Sequence, residues 1–357
     1  MNWWWTIPRP DSPGFGGLFL IVFIAWQGFM AYADRLDTDD VVFRAVMLMA
    51  MLAIAALAVQ VKDVVHGDST GFAVAYIVLR SLMVGLPVRS YRHVPDARPL
   101  IVRYGGGYSI GILLWLSSLA LDEPARYIVW GVALAFEYSL PPRSRRLHMI
   151  IPVHTGHLPE RFGLFTIIVL GESVVAVALG TAGKEWHVAS AASGAIGFVV
   201  VAALWWLYFE GGTGPQLRRR AGTILIFAYV HIPLLAALTA VAAGVNILID
   251  QAGADHLDAG GRVALAAGAA MYLACLTVAQ STTIQGLARG IIAGRVATAL
   301  ATGVLLFLGA LMPPVAFAGG LVVLHVALVV VEIALRQAFG REVLPERAGA
   351  DVGTDGT

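Results

Sequence analysis

One acidic residue interrupts an otherwise apolar segment, ERFGLFTIIVLGESVVAVALG, at residues 160–180. The acid, Glu172, has Gly171 and Ser173 beside it and lies near the centre of the segment. A charge at the centre of a membrane helix is unfavourable by about 2.5–3.5 kcal/mol on insertion scales, so such residues usually have a function. We interpret Glu172 as a proton or cation site inside a helix bundle that faces protein or water, with Gly171 allowing a neighbouring backbone to approach. The alternative is a glutamate that holds helices together.

Arg80, in AYIVLRSLMV, is predicted to be the only basic residue deep within an apolar segment. It requires an anionic partner, and the candidates are Glu137, Glu172 and Glu332. Two interpretations remain open for such a pair, a structural ion pair or a clamp for an anionic substrate. Glu137 and Glu332 end the apolar runs GVALAFE and VALVVVE, so their carboxylates could instead extend to the membrane interface.

Two histidines also fall in apolar segments. His231 comes two residues before Pro233 in AYVHIPLL, and a proline removes one backbone N–H from its helix. A titratable ring beside freed carbonyl groups indicates an ion or proton site, and a kinked packing helix is the alternative. His325 precedes Glu332 by seven residues, and core packing is its predicted role.

A third pair of histidines, His154 and His157, has metal-like spacing with Glu160 in VHTGHLPER. Pro159 interrupts a helix at this point, and no fourth ligand follows at a suitable spacing. We therefore predict no metal site. The sequence identifies no cofactor.

The acidic run RLDTDDV, with Asp37, Asp39 and Asp40, precedes a long apolar segment. Carboxylates favour the N-terminus of a helix, so the run predicts a helix cap. A divalent cation site is the alternative interpretation.

The glycines in YGGGYSIGI include Gly107 and Gly111, four residues apart. Small residues at this spacing allow neighbouring membrane helices to pack closely. The run lacks the lysine and hydroxyl residue of a phosphate-binding loop, so we interpret it as a packing face.

The composition indicates a membrane protein. Of the 357 residues 58% are hydrophobic and only 13% are charged, whereas soluble domains contain about 25% charged residues. The net charge of +1 and the absence of a basic, aromatic-rich block argue against nucleic-acid binding. The single cysteine, Cys275, cannot form an intrachain disulfide bond.

Apolar segments long enough to cross a bilayer need about 20 residues. We predict an all-α, polytopic transmembrane bundle with about eleven spans and a bilayer as its surroundings. The spans are 16–33, 43–61, 71–88, 104–121, 125–140, 163–181, 189–209, 223–249, 262–280, 295–312 and 315–337.

Arginines mark alternate loops, which predicts the orientation because cytoplasmic loops are enriched in Lys and Arg. The C-terminus is then cytoplasmic, eleven spans place the N-terminus outside, and the protein is predicted to lie in a bacterial inner membrane. The marked loops hold Arg89, Arg92, Arg98, Arg103, Arg143, Arg145, Arg146, Arg161, Arg218, Arg219, Arg220, Arg289, Arg295, Arg336, Arg341 and Arg347.

The predicted organisation has five parts. They are an interfacial N-terminal segment (1–15), a first transmembrane half (16–140), a cytoplasmic loop (141–162), a second transmembrane half (163–337) and a disordered cytoplasmic tail (338–357). The halves share features, such as a glutamate that ends a late helix in each. Two parallel repeats of six helices, with the first helix missing, would explain this, as would the chance similarity of apolar helices.

The sequence ERFGLFTIIVLGESVV at 160–175 resembles the bacterial low temperature requirement A (LtrA) family, as do ADRLDTDDVVFRAVMLMAMLAIAALAV at 33–59 and LWWLYFEGG at 204–212. The resemblance covers most of residues 16–337. It implies a polytopic membrane protein, but no established reaction. The family motif comprises Arg161, Phe162, Gly163, Gly171, Glu172 and Ser173.

Family members usually begin with a further helix of the type ELFFDLVF, which this chain lacks. We expect either that this span was lost or that the start codon lies upstream. With that helix restored, both termini would be cytoplasmic.

Three functions fit these observations. The first is a transporter or channel coupled to an ion or proton, with Glu172 as its central titratable group. The second is a membrane scaffold or stress-adaptation protein without transport. The third is a membrane-embedded enzyme that acts on lipid, for which the sequence offers only scattered histidines. Oligomeric state is left open.

Overall fold

A computed structural model describes the backbone of residues 13–36, 40–181, 188–210 and 216–350. The side chains of residues 13–18, 62, 65, 172, 173, 176–181, 188 and 339–350 lie outside that description. The predictions for Glu172, Ser173, Asp37 and Asp39 therefore concern side chains outside the described part of the chain.

The described residues fold into thirteen α-helices, which confirms the predicted all-α class. Short turns of 3₁₀ or π-helix connect some of them. The helices are α1 (Pro13–Leu36), α2 (Val41–Val65), α3 (Thr70–His93), α4 (Arg98–Ser118), α5 (Ala125–Tyr138), α6 (Leu140–Arg143), α7 (His157–Thr181), α8 (Val188–Phe209), α9 (Ala221–Asp250), α10 (Ala259–Arg262), α11 (Gly268–Ser281), α12 (Arg289–Leu308) and α13 (Pro314–Ala350).

Nine stretches of helix among the described residues are long and apolar enough to cross a membrane. Many of their apolar side chains are exposed, as in α2, where Leu48 is 66% and Leu52 is 64% accessible. Apolar side chains that no protein atom covers are suited to contact with lipid, so a multi-pass membrane protein is supported.

Two of the eleven predicted spans are not among these nine. The predicted span 125–140 corresponds to α5, which has only 14 residues. At 1.5 Å per residue, α5 is about 21 Å long and shorter than a hydrocarbon core of about 30 Å. The predicted span 163–181 lies in α7, where the side chains of 176–181 are outside the described set.

Local sequence explains several helix ends. Asp40 caps α2, because its Oδ1 accepts a hydrogen bond from the Phe43 backbone N at 2.9 Å, and the predicted cap is thereby confirmed for Asp40. The helix α13 begins at Pro314 and continues to Ala350. Extending an existing helix adds one hydrogen bond per residue without a new nucleation step.

Contacts divide the chain into two compact units, each with its own core. Unit 1 comprises residues 1–162 and 216–232, and unit 2 comprises 163–215 and 233–357. This division differs from the predicted halves in one respect, since the start of α9 belongs to unit 1. In that unit the Tyr229 hydroxyl donates to the Tyr138 carbonyl at 2.5 Å.

The core of unit 1 brings α1–α5 together around aromatic rings. Trp115 and Trp130 stack with their ring centroids 4.4 Å apart, and Tyr76 lies 4.2 Å from Trp115. Helices approach each other closely where a glycine, which has no side chain, lies at the contact. A Cβ atom at Gly107 would overlap Leu140, and one at Gly111 would overlap Glu137, in agreement with the close-packing face predicted for these two glycines.

Candidate functional site

A buried ion pair joins α3 to α5 in unit 1. Arg80 Nη2 lies 2.5 Å from Glu137 Oε2, and both side chains are fully inaccessible to solvent. Arg80 is near the middle of α3, one of the helices that are long and apolar enough to cross a membrane. The predicted need of Arg80 for an anionic partner is met by Glu137, and the carboxylate of Glu137 does not extend to the interface.

Tyrosines complete the surroundings of the pair. The Tyr76 hydroxyl accepts a hydrogen bond from Arg80 Nε at 2.8 Å and donates to Glu137 Oε2 at 3.2 Å. The Arg80 guanidinium also lies 5.0 Å from the centre of the Tyr108 ring, within the range of a cation–π contact. These contacts compensate for the removal of two charges from water, which is otherwise strongly unfavourable.

One oxygen of this pair has no partner. Glu137 Oε2 accepts from Arg80 and Tyr76, while Oε1 has no hydrogen-bond partner within the described structure. The second oxygen packs against Gly111, the position at which a Cβ would overlap it. A buried carboxylate oxygen without a donor has the capacity to take a proton, a water molecule or a small cation.

A cavity of about 160 Å³ lies beside Glu137 in unit 1. It is lined by the C-terminal halves of α1 and α3, the N-terminal halves of α4 and α9, and the segment that follows α5. These parts all belong to the end of unit 1 whose loops carry most of its arginines. Most of the lining is apolar, and the polar groups include Arg35, Tyr104, Glu137 and His148.

Arg35, His148 and Tyr104 form a hydrogen-bonded chain on the cavity wall. Arg35 Nη2 lies 2.7 Å from His148 Nδ1, and His148 Nε2 lies 2.9 Å from the Tyr104 hydroxyl. Arginine can only donate, so Nδ1 accepts and Nε2 carries the proton. Burial and the nearby Arg35 lower the pKa of His148 to about 4, which keeps its ring neutral at pH 7.

His231 and the motif residue Phe162 belong to an aromatic cluster in unit 1. The Phe162 ring lies 4.6 Å from the ring of His231 and 5.3 Å from that of Phe227, measured between centroids. His231 is fully buried, and its Nδ1 lies 2.7 Å from the Phe227 carbonyl. This geometry describes a packed ring that bonds to its own helix, and His231 is not among the residues that line the cavity.

Unit 2 contains a second buried ion pair, between α12 and α13. Arg295 Nε and Nη2 donate to the two oxygens of Glu332 at 2.6 and 2.9 Å, and Nη2 also donates to Gln280 Oε1 at 2.9 Å. The prediction that placed Arg295 in a cytoplasmic loop, and so left Arg80 as the only deep basic residue, was wrong. Arg295 lies one and a half turns inside α12, at the boundary predicted for that span.

Two residues of the predicted family motif, Arg161 and Gly171, lie on α7. Arg161 Nε lies 4.0 Å from Asp34 Oδ1, and no described atom lies within 4 Å of a Cβ built at Gly171. Among the described residues, therefore, no close approach to Gly171 is seen. The rings of His154 and His157 lie 4.6 Å apart.

The described residues contain no group of three or more His, Cys, Asp or Glu side chains that could hold a metal ion. His325 is buried, with Nδ1 2.8 Å from the Leu321 carbonyl. It therefore bonds to its own helix, as His231 does.

The sequence interpretation missed Arg35, His148 and Tyr104. Arg35 and Tyr104 fall at predicted span ends and His148 falls in the predicted loop 141–162, where polar residues are ordinary, so only their convergence in space distinguishes them. The alternation of arginine-rich loops could have indicated that these helix ends meet.

A family model described as bacterial low temperature requirement A protein (LtrA) matches residues 11–331. The chain belongs to the LtrA family. This finding confirms the resemblance seen in ERFGLFTIIVLGESVV, and all the cavity residues of this LtrA protein lie inside the matched range. The family description names no reaction or substrate, so the function has to be argued from the site.

An uncharacterized protein of Rhizobium meliloti (strain 1021) is 26% identical to the LtrA chain over 235 residues. The match covers 59% of this chain and 55% of that protein, so the chain spans about half the length of this relative. No solved structure matches the LtrA chain.

Proposed function

We propose that this LtrA protein is a transporter of the bacterial inner membrane that binds a proton or small ion at Glu137. The observation that carries the proposal is the buried carboxylate of Glu137, which lines a cavity and has one oxygen without a partner. Intramembrane acids of this kind occur in proton relays and ion pathways.

The surroundings of Glu137 support reversible binding. Arg80 and Tyr76 hold one oxygen in place, so a proton or ion can be taken up at the other without loss of the structural contacts. The cavity provides access from the arginine-rich end of unit 1, which we propose to be cytoplasmic under the positive-inside rule. The same rule, applied to Arg336, Arg341 and Arg347 in the sequence, predicts a cytoplasmic C-terminus.

Glu172 remains a second acid in this proposal. It belongs to the family motif and falls in the centre of an apolar segment, as Glu137 falls beside the middle of α3 and α4. A path that crosses the whole membrane needs groups beyond the Glu137 cavity, and Glu172 is the candidate that the sequence offers.

Proton uptake by liposomes tests the role of Glu137. We expect wild-type protein with an internal pH dye to acidify the lumen when a potential draws cations inward. Glu137→Gln should reduce the rate at least tenfold, because an amide cannot bind and release a proton at neutral pH.

Glu332→Gln is the matched control, since it also removes one buried carboxylate and leaves a buried arginine unpaired. Both variants should lose stability, by about 3–5 kcal/mol for a broken buried pair, but only Glu137→Gln should lose proton uptake. If Glu137→Gln fails to fold, Arg80→Gln with Glu137→Gln keeps the site neutral. Equal uptake by wild type and by Glu137 variants would contradict the proposal, and so would a wild-type protein that moves no protons.

A further inference from the structure

One positive charge that lines the cavity, Arg35, is in no ion pair among the described residues. Arg80 and Glu137 neutralise each other, and His148 is neutral. Arg35 also lines the cavity, and no carboxylate lies within ion-pair distance of it among the residues whose side chains are described. Its neighbour Asp34 attracts Arg35 only at longer range, because the carboxylate of Asp34 lies closer to Arg161 and to the backbone N of His154.

The guanidinium of Arg35 is held in position by its own contacts. Its Nε donates to the Ile151 carbonyl at 3.2 Å, and Nη1 donates to the Ala31 carbonyl at 3.2 Å. A guanidinium has five N–H donors, and three are used by these carbonyls and by His148. Two donors are left for a ligand.

Tyr138 adds a further donor to the same cavity. Its hydroxyl is buried and has no hydrogen-bond partner in the described part of the protein, although the residue lines the cavity. A buried hydroxyl that is left unpaired is unfavourable, and a ligand that accepts its hydrogen bond would remove that penalty.

The size and walls of the cavity restrict the ligand further. Its volume of about 160 Å³ is large compared with the roughly 10–15 Å³ that a single water needs. The walls are mostly side chains such as Ile24, Leu86, Leu100, Ile101 and Leu225, which contact hydrocarbon favourably and supply no polar ligands for an inorganic anion.

We propose that the cavity binds a small organic carboxylate, with its anionic group on Arg35 and Tyr138 and its hydrocarbon part against the apolar walls. The inference deepens the proposed transport function by naming the substrate class, and a proton on Glu137 would accompany the anion. Binding is measurable without flux, so it can be tested separately from transport.

Equilibrium binding of radiolabelled hexanoate to the full-length protein in nanodiscs tests this inference at pH 7. Empty nanodiscs provide the background for partitioning into lipid. We expect saturable binding of hexanoate, weaker binding of inorganic phosphate and no binding of hexylammonium, which has a similar shape but the opposite charge. Dodecanoate represents a membrane fatty acid, and a site for a small carboxylate requires that it bind more weakly than hexanoate.

Arg35→Gln should reduce hexanoate affinity by about ten- to a hundredfold, because hydrogen bonds to charged groups contribute more than neutral ones. Arg89→Gln is the matched control: it removes one positive charge from the same end of unit 1, at a half-exposed pair with Asp40 outside the cavity. The affinity of this variant should stay within about twofold of wild type, since exposed charges contribute little.

Tyr138→Phe separates binding from folding, because it removes a hydroxyl that makes no hydrogen bond in the described structure. The variant should be as stable as wild type and bind hexanoate about three- to tenfold more weakly. Phosphate or dodecanoate bound as tightly as hexanoate would overturn the inference, and so would unchanged affinity in both Arg35→Gln and Tyr138→Phe. Hexanoate binding without proton uptake would contradict the transport function alone, whereas proton uptake without hexanoate binding would contradict this inference alone.

Discussion

Glu137 and Glu332 are buried carboxylates that each meet an arginine within their own unit, yet their surroundings differ. Arg295 occupies both oxygens of Glu332, whereas Arg80 and Tyr76 converge on a single oxygen of Glu137. A carboxylate bound at both oxygens ties two helices together. One with a free oxygen beside a cavity can also exchange a ligand, so we assign function to Glu137 and a structural role to Glu332.

The neutral His148 makes the stability of unit 1 sensitive to acid. Its pKa is about 4 in the folded protein and about 6.5 when unfolded. Between about pH 6.5 and pH 4, His148 is protonated in the unfolded chain but stays neutral in the folded protein. The free energy of unfolding therefore decreases as the pH falls through this range. Thermal unfolding between pH 7 and pH 4 should show this loss.

Carboxylates also titrate in this pH range, so a variant is needed to isolate His148. His148→Gln keeps an acceptor for Arg35 and a donor for Tyr104 but cannot take up a proton. Its melting temperature should fall less steeply than that of wild type between pH 6.5 and pH 4. Parallel curves for the two proteins would show that His148 does not contribute.

At the scale of the elements, the glycines of α4 determine how closely α5 can approach. Gly111 contacts the carboxylate of Glu137, whereas no atom of the described residues lies within 4 Å of a Cβ placed at Gly106. The absence of a side chain at Gly111, four residues after Gly107, therefore leaves room for Glu137 to reach Arg80.

Gly111→Ala should destabilise the protein by about 1–3 kcal/mol, as expected when a methyl group is forced into a packed interior. It should also displace Glu137 from Arg80 and reduce proton uptake. Gly106→Ala, one and a half turns earlier in the same helix, should be neutral or more stable by about 0.5–1 kcal/mol, because alanine favours the helix. Thermal unfolding and proton uptake into liposomes, measured for both variants, test this prediction. Equal stability and equal proton uptake of the two variants would contradict the packing argument.

At the scale of the whole molecule, the sequence predicts membership of the family and the helical membrane class, because both depend on local composition and motif. It also predicts that Arg80 requires an acid. It does not predict which acid, since Glu137, Glu172 and Glu332 are equivalent by composition and only the packing of α3 against α5 distinguishes them. Arg295 was misplaced for a similar reason, because a residue at a span boundary can lie in a loop or within the helix.

The orientation of unit 1 connects the cavity to a cellular compartment. The cavity lies at the end that carries Arg89, Arg98, Arg143 and Arg145, and the opposite end carries Asp122 and Glu123 between α4 and α5. An excess of arginine marks cytoplasmic loops, so the cavity should receive its ligand from the cytoplasm.

Labelling of single cysteines tests this orientation. The chain has one native cysteine, Cys275, which is buried and is removed by Cys275→Ala. In that background Arg145→Cys and Asp122→Cys place a thiol at exposed positions on opposite ends of unit 1. A maleimide that cannot cross the membrane should label Asp122→Cys in intact spheroplasts and label Arg145→Cys only after lysis. The reverse pattern would place the cavity on the periplasmic side, and a carboxylate bound there would have to come from outside the cell.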